Sequence, residues 1–128
     1  MRLEHTAIWT RDLERLRAFY ERYFGAESSP LYHSRTREGF TSRFLTLPDG
    51  GARLELMSVA ELAAAPAGVA VGYAHIAVAV GSRVAVDALT ARMREDGVHV
   101  AGLPRETGDG YYESVIEDPD GNMVEITV

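Results

Sequence analysis

A histidine and a glutamate recur in this chain at one fixed spacing. His75 lies 70 positions after His5 (75 − 5 = 70), and Glu125 lies 70 positions after Glu55 (125 − 55 = 70). Each of the four stands in a short run of apolar and β-branched residues, which is typical of a strand. A repeat of this length predicts two copies of one supersecondary module, each with one imidazole and one carboxylate.

The remaining landmarks follow the same order in both halves. An amphipathic helix, capped by Thr10 or Asp12 in the first half, ends at a glycine in each half. A turn of proline, aspartate and glycine, at residues 48–51 and again at residues 119–121, precedes the last strand of each half. We therefore predict an α+β fold of two tandem βαβββ modules, with roughly four strands in the first.

The length of 128 residues suits one domain with a substantial core. We predict that residues 1–128 form this single domain, with module 1 at residues 1–58, a linker at residues 59–72 and module 2 at residues 73–128. Within the linker, an alanine-rich stretch predicts a short helical turn that ends at Pro66.

Charge and composition exclude several classes of function. The net charge of −6 and the isoelectric point near 5.2 argue against nucleic acid or an anionic membrane as partner. All 13 cations are arginine, so lysine-based Schiff-base and Walker-type chemistry is excluded. The chain has no cysteine, and any metal must be held by nitrogen and oxygen.

The sequence has no apolar run long enough to span a bilayer and no visible secretory signal. We therefore expect a cytoplasmic protein whose partner is a small-molecule substrate. A homodimer is also expected, because the exposed edges of cupped sheets are usually covered.

Alternation along strands predicts where the repeated residues face. Leu54 and Leu56 point away from Glu55, so this strand has one apolar face and carries the carboxylate on the other. The strand of Glu125 has the same pattern. A twofold relation between modules would bring equivalent inward positions together. Bringing two histidines and two glutamates together in this way would cost free energy unless a cation compensated the charge of the carboxylates.

On these residues the chain resembles the vicinal oxygen chelate superfamily, which includes glyoxalase I, bleomycin-resistance proteins and extradiol dioxygenases. The resemblance extends over the whole chain and rests on the segments His5-Thr6, Leu54-Glu55-Leu56, Gly72-Tyr73-Ala74-His75-Ile76-Ala77, Glu117-Asp118-Pro119-Asp120-Gly121-Asn122 and Val124-Glu125-Ile126. It implies that the paired modules form a cupped, mixed β-sheet around a divalent ion, with the helices on the outer face.

The resemblance also implies roles for the repeated residues. Its four metal positions are matched by His5, Glu55, His75 and Glu125. Such a site favours one Zn, Ni, Co, Mn or Fe ion. By similarity to glyoxalase I, the metal would stabilise an enediolate, Glu125 would be the catalytic base, and Glu55 would assist on the opposite side.

One departure from glyoxalase I concerns the substrate. The family commonly has an arginine four positions after the first ligand to bind a glutathione carboxylate, and this chain has Trp9 there. The expected substrate is a small oxygenated carbonyl compound or a thiol adduct. Alternatives are an extradiol-type dioxygenase and an antibiotic-binding resistance protein. The residues predicted to line the pocket are Trp9, Arg53, Met57, Tyr73, Tyr111 and Tyr112.

Overall fold

The computed structural model describes residues 1–65 and 67–128. The chain divides into two compact units, Met1–Ala65 (unit 1) and Pro66–Val128 (unit 2). This division falls inside the predicted linker at residues 59–72, while the expectation that both modules act as one domain stays a prediction. No helix in the described part of the chain is long and apolar enough to cross a membrane.

Unit 1, all of whose residues are described, contains one helix and five strands. In chain order these are β1 His5–Trp9, α1 Leu13–Phe24, β2 Glu27–Ser28, β3 Tyr32–His33, β4 Thr41–Thr46 and β5 Arg53–Ser58. The sheet order is β1-β5-β4-β2, and β3 also pairs with β4. Because β1 runs parallel to β5 while the other pairs are antiparallel, the sheet is mixed.

Unit 2 repeats this plan within residues 67–128. Its elements are β6 His75–Ala79, α2 Arg83–Glu95, β7 Val100–Glu106, β8 Tyr112–Glu117 and β9 Met123–Thr127. The sheet order is β6-β9-β8-β7, and again the first strand runs parallel to the last. The prediction of two βαβββ modules in an α+β chain is confirmed.

Both helices begin at a capping side chain. The Asp12 carboxylate accepts a hydrogen bond from the backbone N–H of Arg15 at 2.9 Å, and the Ser82 hydroxyl accepts from that of Ala85 at 3.2 Å. Each cap satisfies one of the free amides in the first turn. Gly25 ends α1 in the left-handed conformation, with φ of 64°, which is accessible to glycine at little cost.

Each helix packs on the dry face of its own sheet. In unit 1 the fully buried side chains include Leu16 and Tyr20 of α1 and Leu56 of β5. In unit 2 they include Met93 of α2 and Ile126 of β9. Because side chains alternate along a strand, these cores fix the neighbouring positions of β5 and β9 on the opposite face of each sheet.

Two expectations about irregular segments are wrong. Module 1 has five strands rather than four, because the residues around Pro30, which has no N–H to donate, form two separate two-residue strands. The helical turn predicted in the linker is absent from residues 59–65, because so short an alanine run cannot offset the cost of nucleating a helix. Pro66, its predicted end, lies outside the described residues.

Candidate metal centre

Unit 1 brings His5 and Glu55 together on adjacent parallel strands. In the register of this parallel pair, His5 of β1 lies opposite Arg53 of β5, and Ala7 lies opposite Glu55. The Nε2 atom of His5 lies 3.7 Å from Oε2 of Glu55. The His5 side chain is 38% exposed and that of Glu55 only 16%, so the carboxylate is the more sheltered of the two.

Unit 2 forms the same pair in the same register. His75 of β6 is level with Met123 of β9, and Ala77 is level with Glu125. The Nε2 atom of His75 lies 3.2 Å from Oε2 of Glu125, with side-chain exposures of 42% and 20%. Each unit therefore offers one imidazole nitrogen and one carboxylate oxygen at a comparable separation and depth.

These donors suit a borderline divalent ion. Imidazole nitrogen and carboxylate oxygen are ligands that Zn and the neighbouring transition metals accept, and each donor pair lies on two adjacent strands, on the sheet face opposite the helix. Within either unit, the described residues form no group of three or more histidine, aspartate or glutamate side chains at metal-binding spacing. A single unit therefore supplies two donors of the predicted set.

The surroundings of His5 include a residue that sequence reasoning missed. The Nδ1 atom of His5 contacts the Glu4 carboxylate, which also accepts a hydrogen bond from Arg53. An ionised carboxylate can only accept, so in a neutral imidazole this contact favours the tautomer with its proton on Nδ1, whose Nε2 lone pair is free to bind a metal. Hydrogen bonds from His5 and then from Arg53 hold the pKa of the Glu4 carboxyl below its ordinary value.

An aromatic ring completes the surroundings of the first pair. Phe44 of β4 is level with Glu55, and its ring meets the His5 ring edge-on at a centroid distance of 5.4 Å. The Arg53 guanidinium lies 4.2 Å from the centroid of the same ring. Phe44 therefore supports both the imidazole and the arginine that anchors Glu4.

Trp9, at the other end of β1, lies in a second aromatic group. Its ring contacts Phe40 at a centroid distance of 6.1 Å, and Phe40 contacts Tyr32 at 6.5 Å. The Arg37 guanidinium lies 5.5 Å from the Trp9 ring and 5.7 Å from the Phe40 ring. We call Trp9, Tyr32, Arg37 and Phe40 the aromatic-arginine cluster. Met57, another predicted pocket residue, is level with Trp9 on β5.

The three tyrosines predicted to line the pocket lie in different places. Tyr73 is 98% exposed just before β6, and Tyr111 is exposed at the hairpin between β7 and β8. The Tyr112 hydroxyl donates to Asp87 of α2 at 2.8 Å, and Arg83 lies over the Tyr112 ring. Tyr112 therefore lies on the helix side of its sheet, and the structure does not bring it to the face of Glu125.

Comparisons with known proteins address the fold. The family model described as the Glyoxalase/Bleomycin resistance protein/Dioxygenase superfamily matches residues 2–126. No curated protein matches the chain in sequence.

Several solved structures are similar over nearly the whole chain. A glyoxylase/bleomycin resistance protein/dioxygenase domain from Frankia sp. EAN1pec has a TM-score of 0.84 at 16% identity, covering 100% of this chain and 97% of its own. A glyoxalase family protein from Enterococcus faecalis has a TM-score of 0.79 at 25% identity, with coverages of 99% and 97%. The trypanothione-dependent glyoxalase I of Leishmania major has a TM-score of 0.77 at 26% identity, with coverages of 99% and 86%.

Proposed function

The chain belongs to the glyoxalase/bleomycin resistance protein/dioxygenase superfamily, and we propose that it is a divalent-metal-dependent lyase or isomerase of the glyoxalase I type. Its substrate would be a small oxygenated carbonyl compound or a thiol adduct. The observation that supports this most directly is the repeated pair: a histidine nitrogen lies 3.7 Å from a glutamate oxygen in unit 1 and 3.2 Å in unit 2.

His5, Glu55, His75 and Glu125 would together hold one ion. When bound, a divalent ion supplies Lewis-acid stabilisation of negative charge that develops on substrate oxygens. Two neutral imidazoles and two carboxylates leave positions open for substrate in five- or six-coordinate geometry. We propose that the four ligands come either from the two units of one chain or from two chains of a homodimer.

Proton transfer is assigned to the carboxylates. Glu125 would take a proton from a substrate carbon and return it at the neighbouring carbon, and Glu55 would assist on the opposite side. Each carboxylate is positioned by its strand ladder beside a histidine, and each is mostly sheltered from bulk water. A sheltered, positioned base exchanges its proton with substrate rather than with solvent, which a lyase or isomerase needs when it returns the same proton.

Metal analysis of the purified chain is the first test. We expect about one divalent ion per chain, or per ligand set, and a lower melting temperature after chelation, because a ligand that binds the folded state stabilises it. His5→Ala and His75→Ala should each lose the ion. His33→Ala is the matched control, since His33 is exposed and outside the repeat. If the purified protein contains no metal and chelators do not change its melting temperature, the proposal is excluded.

A substrate panel then tests the reaction. Methylglyoxal with glutathione, methylglyoxal with other thiols, and catechols should separate the lyase from the dioxygenase alternative. We expect turnover with a thiol adduct. Turnover of catechols alone would replace the proposal with a ring-cleaving activity, and binding without turnover of any compound would favour a sequestering protein.

Mixing two inactive variants distinguishes the two origins of the site. If ligands from two chains share an ion, co-refolded His5→Ala and His75→Ala proteins form a mixed dimer with one intact ligand set, and part of the activity returns. If both pairs of one chain share the ion, the mixture stays inactive. Wild-type protein taken through the same refolding steps is the control.

A further inference from the structure

The aromatic-arginine cluster presents an arginine without a carboxylate partner. Three other arginines of unit 1 pair with glutamates: Arg17 with Glu14 and Glu21, Arg43 with Glu14, and Arg53 with Glu4. Arg37 forms no ion pair within the described residues, and its guanidinium lies over the rings of Trp9 and Phe40. Even Glu38, its sequence neighbour, forms no ion pair with it. The exposed Arg37 is therefore available to an external anion, although the protein as a whole carries a net charge of −6.

Hydrogen bonds hold the segment that bears Arg37. The Ser34 hydroxyl accepts from the backbone N–H of Arg37 at 2.9 Å, and the N–H of Phe40 donates to the Arg37 carbonyl at 3.2 Å. The N–H of Ser34 in turn donates to the Phe40 carbonyl at 3.0 Å. The loop is therefore closed on itself, and little ordering is required when a ligand binds.

The rings also orient the guanidinium. It rests against the indole of Trp9 and the ring of Phe40, an arrangement that is favourable through cation–π attraction. A guanidinium has donors along a rigid fork, which match the two oxygens of a carboxylate. The adjoining rings of Trp9 and Tyr32 are exposed, so an apolar or planar group next to the carboxylate would find aromatic surface to cover.

The cluster shares a sheet face with the first metal pair. Trp9 and His5 have the same parity on β1, and Met57 and Glu55 have the same parity on β5, so all four side chains point to one side. Four residues along a strand separate His5 from Trp9 by roughly 13 Å. A molecule as short as methylglyoxal cannot reach both positions, whereas a longer adduct can.

We propose that the aromatic-arginine cluster is a binding subsite for a carboxylate attached to a planar, apolar body. Arg37 binds the carboxylate, and the rings of Trp9 and Tyr32 cover the body. As a statement about substrate, this deepens the proposed metal-dependent function and rests on it: the reacting oxygens lie near His5 and Glu55 while the tail lies on the cluster. The binding step itself requires no metal.

The tryptophan makes this subsite directly observable. Trp9 is the only tryptophan of the chain and is 43% exposed, so tryptophan fluorescence reports on this cluster alone. We would titrate the full chain with phenylacetate, phenylacetamide and acetate. Phenylacetate should bind about tenfold more tightly than its neutral amide, the factor expected for one charge-assisted contact. Acetate, which lacks the ring, should bind more weakly than phenylacetate by a similar factor.

Two arginine variants test the assignment. Arg37→Gln should abolish the preference for phenylacetate over phenylacetamide, and Arg37→Lys should restore only part of it, because lysine lacks the fork. Arg35→Gln is the matched control, since Arg35 is exposed two positions away and should leave the preference unchanged. Equal binding of acid and amide by the wild type, or an unchanged preference in Arg37→Gln, would overturn the subsite.

Metal content measured on the same samples separates the two proposals. A protein that holds its ion and shows no preference for the acid retains the proposed function and loses the subsite. A protein that prefers the acid and holds no ion retains the subsite and loses the metal-dependent function.

Discussion

The two units build the same histidine-glutamate pair and surround it differently. In both, the histidine lies on the first strand, the glutamate lies on the last, and alanine is level with the glutamate across the parallel ladder. Around the first pair stand Glu4, Arg53 and Phe44. The equivalent positions of unit 2 hold Ala74, Met123 and Val115. The strand ladder alone is thus enough to place the two donors, and among the residues that the structure describes only unit 1 adds polar and aromatic support.

The link between sheet and helix differs in the same way. Arg43, level with Leu56, pairs with Glu14 of α1 at 2.8 Å near the surface of unit 1. Ser114, level with Ile126, instead contacts the Thr90 hydroxyl of α2 at 2.6 Å in the interior of unit 2. The sheet is therefore linked to its helix by an ion pair in unit 1 and by a buried hydrogen bond in unit 2.

The largest expected effect concerns the two carboxylates. Glu125→Gln should lower kcat by about a hundred- to ten-thousandfold while keeping most of the metal affinity, because it removes the proposed base. Glu55→Gln should lower kcat less. Steady-state kinetics with the best substrate of the panel, together with metal analysis, measures both. If Glu125→Gln and Glu55→Gln lower kcat equally, the two glutamates do not have different roles and the units are not distinguished in catalysis.

Next in size is the effect of the support around His5. Glu4→Gln should weaken metal binding about ten- to a hundredfold, because the charged acceptor that fixes the imidazole tautomer is replaced by a neutral amide, which accepts more weakly and can also donate. Competition with a chelator measures the affinity, and nitrogen chemical shifts of His5 report the tautomer. Glu61→Gln, a matched change at an exposed glutamate, should have no effect on either. If Glu4→Gln behaves like Glu61→Gln, the support around the first pair has no role in binding.

The buried hydrogen bond of unit 2 should contribute more to stability than the ion pair of unit 1. Thr90→Val keeps the shape of the side chain and leaves the fully buried Ser114 hydroxyl without its partner. We expect the free energy of unfolding to fall by about 1–3 kcal/mol in a urea titration. Thr90→Ser, which keeps the hydroxyl, should lose less. An unaltered midpoint in Thr90→Val would mean that the hydrogen bond is dispensable.

The smallest expected effect is at the ion pair and depends on pH. Hydrogen bonds from Arg17 and then from Arg43 hold the pKa of Glu14 below its ordinary value of 4.5. The resulting stability is present above the unfolded pKa and is lost as the pH falls through the lower folded pKa. Glu14→Gln should therefore cost about 0.5 kcal/mol near neutral pH, typical of exposed pairs, and nothing in strong acid. A cost that persists in acid would indicate lost packing instead.

Alternation and spacing were sufficient to predict the pairs themselves. The apolar neighbours of Glu55 and Glu125 had to face a helix, so both carboxylates had to face the other side. The offset of 70 showed that each module has one equivalent histidine and one equivalent glutamate. Capping chemistry left two candidates for the start of α1, Thr10 and Asp12, of which the structure selects Asp12.

The contacts of Glu4 and Arg37 could not be predicted from the sequence, because both residues lie outside the strands, where side chains do not alternate between two faces. Glu4 precedes the first residue of β1, so it can fold back onto His5, whereas a strand neighbour would point away. Arg37 reaches Trp9 only because the loop after β3 closes on Ser34, a conformation that no periodicity encodes. Tyr112 was grouped with Tyr111 as pocket lining, yet neighbouring strand positions face opposite sides, and Tyr112 takes the helix side.

The parallel pairing of the first and last strands has a consequence for the order of folding. His5 and Glu55 are 50 positions apart (55 − 5 = 50), and pairing β1 with β5 closes a loop that contains α1 and the strands β2 to β4. Closing so long a loop is entropically costly and slow relative to local structure. The pair is thus completed only when its unit is whole, and an ion that requires both residues would discriminate against partly folded chains.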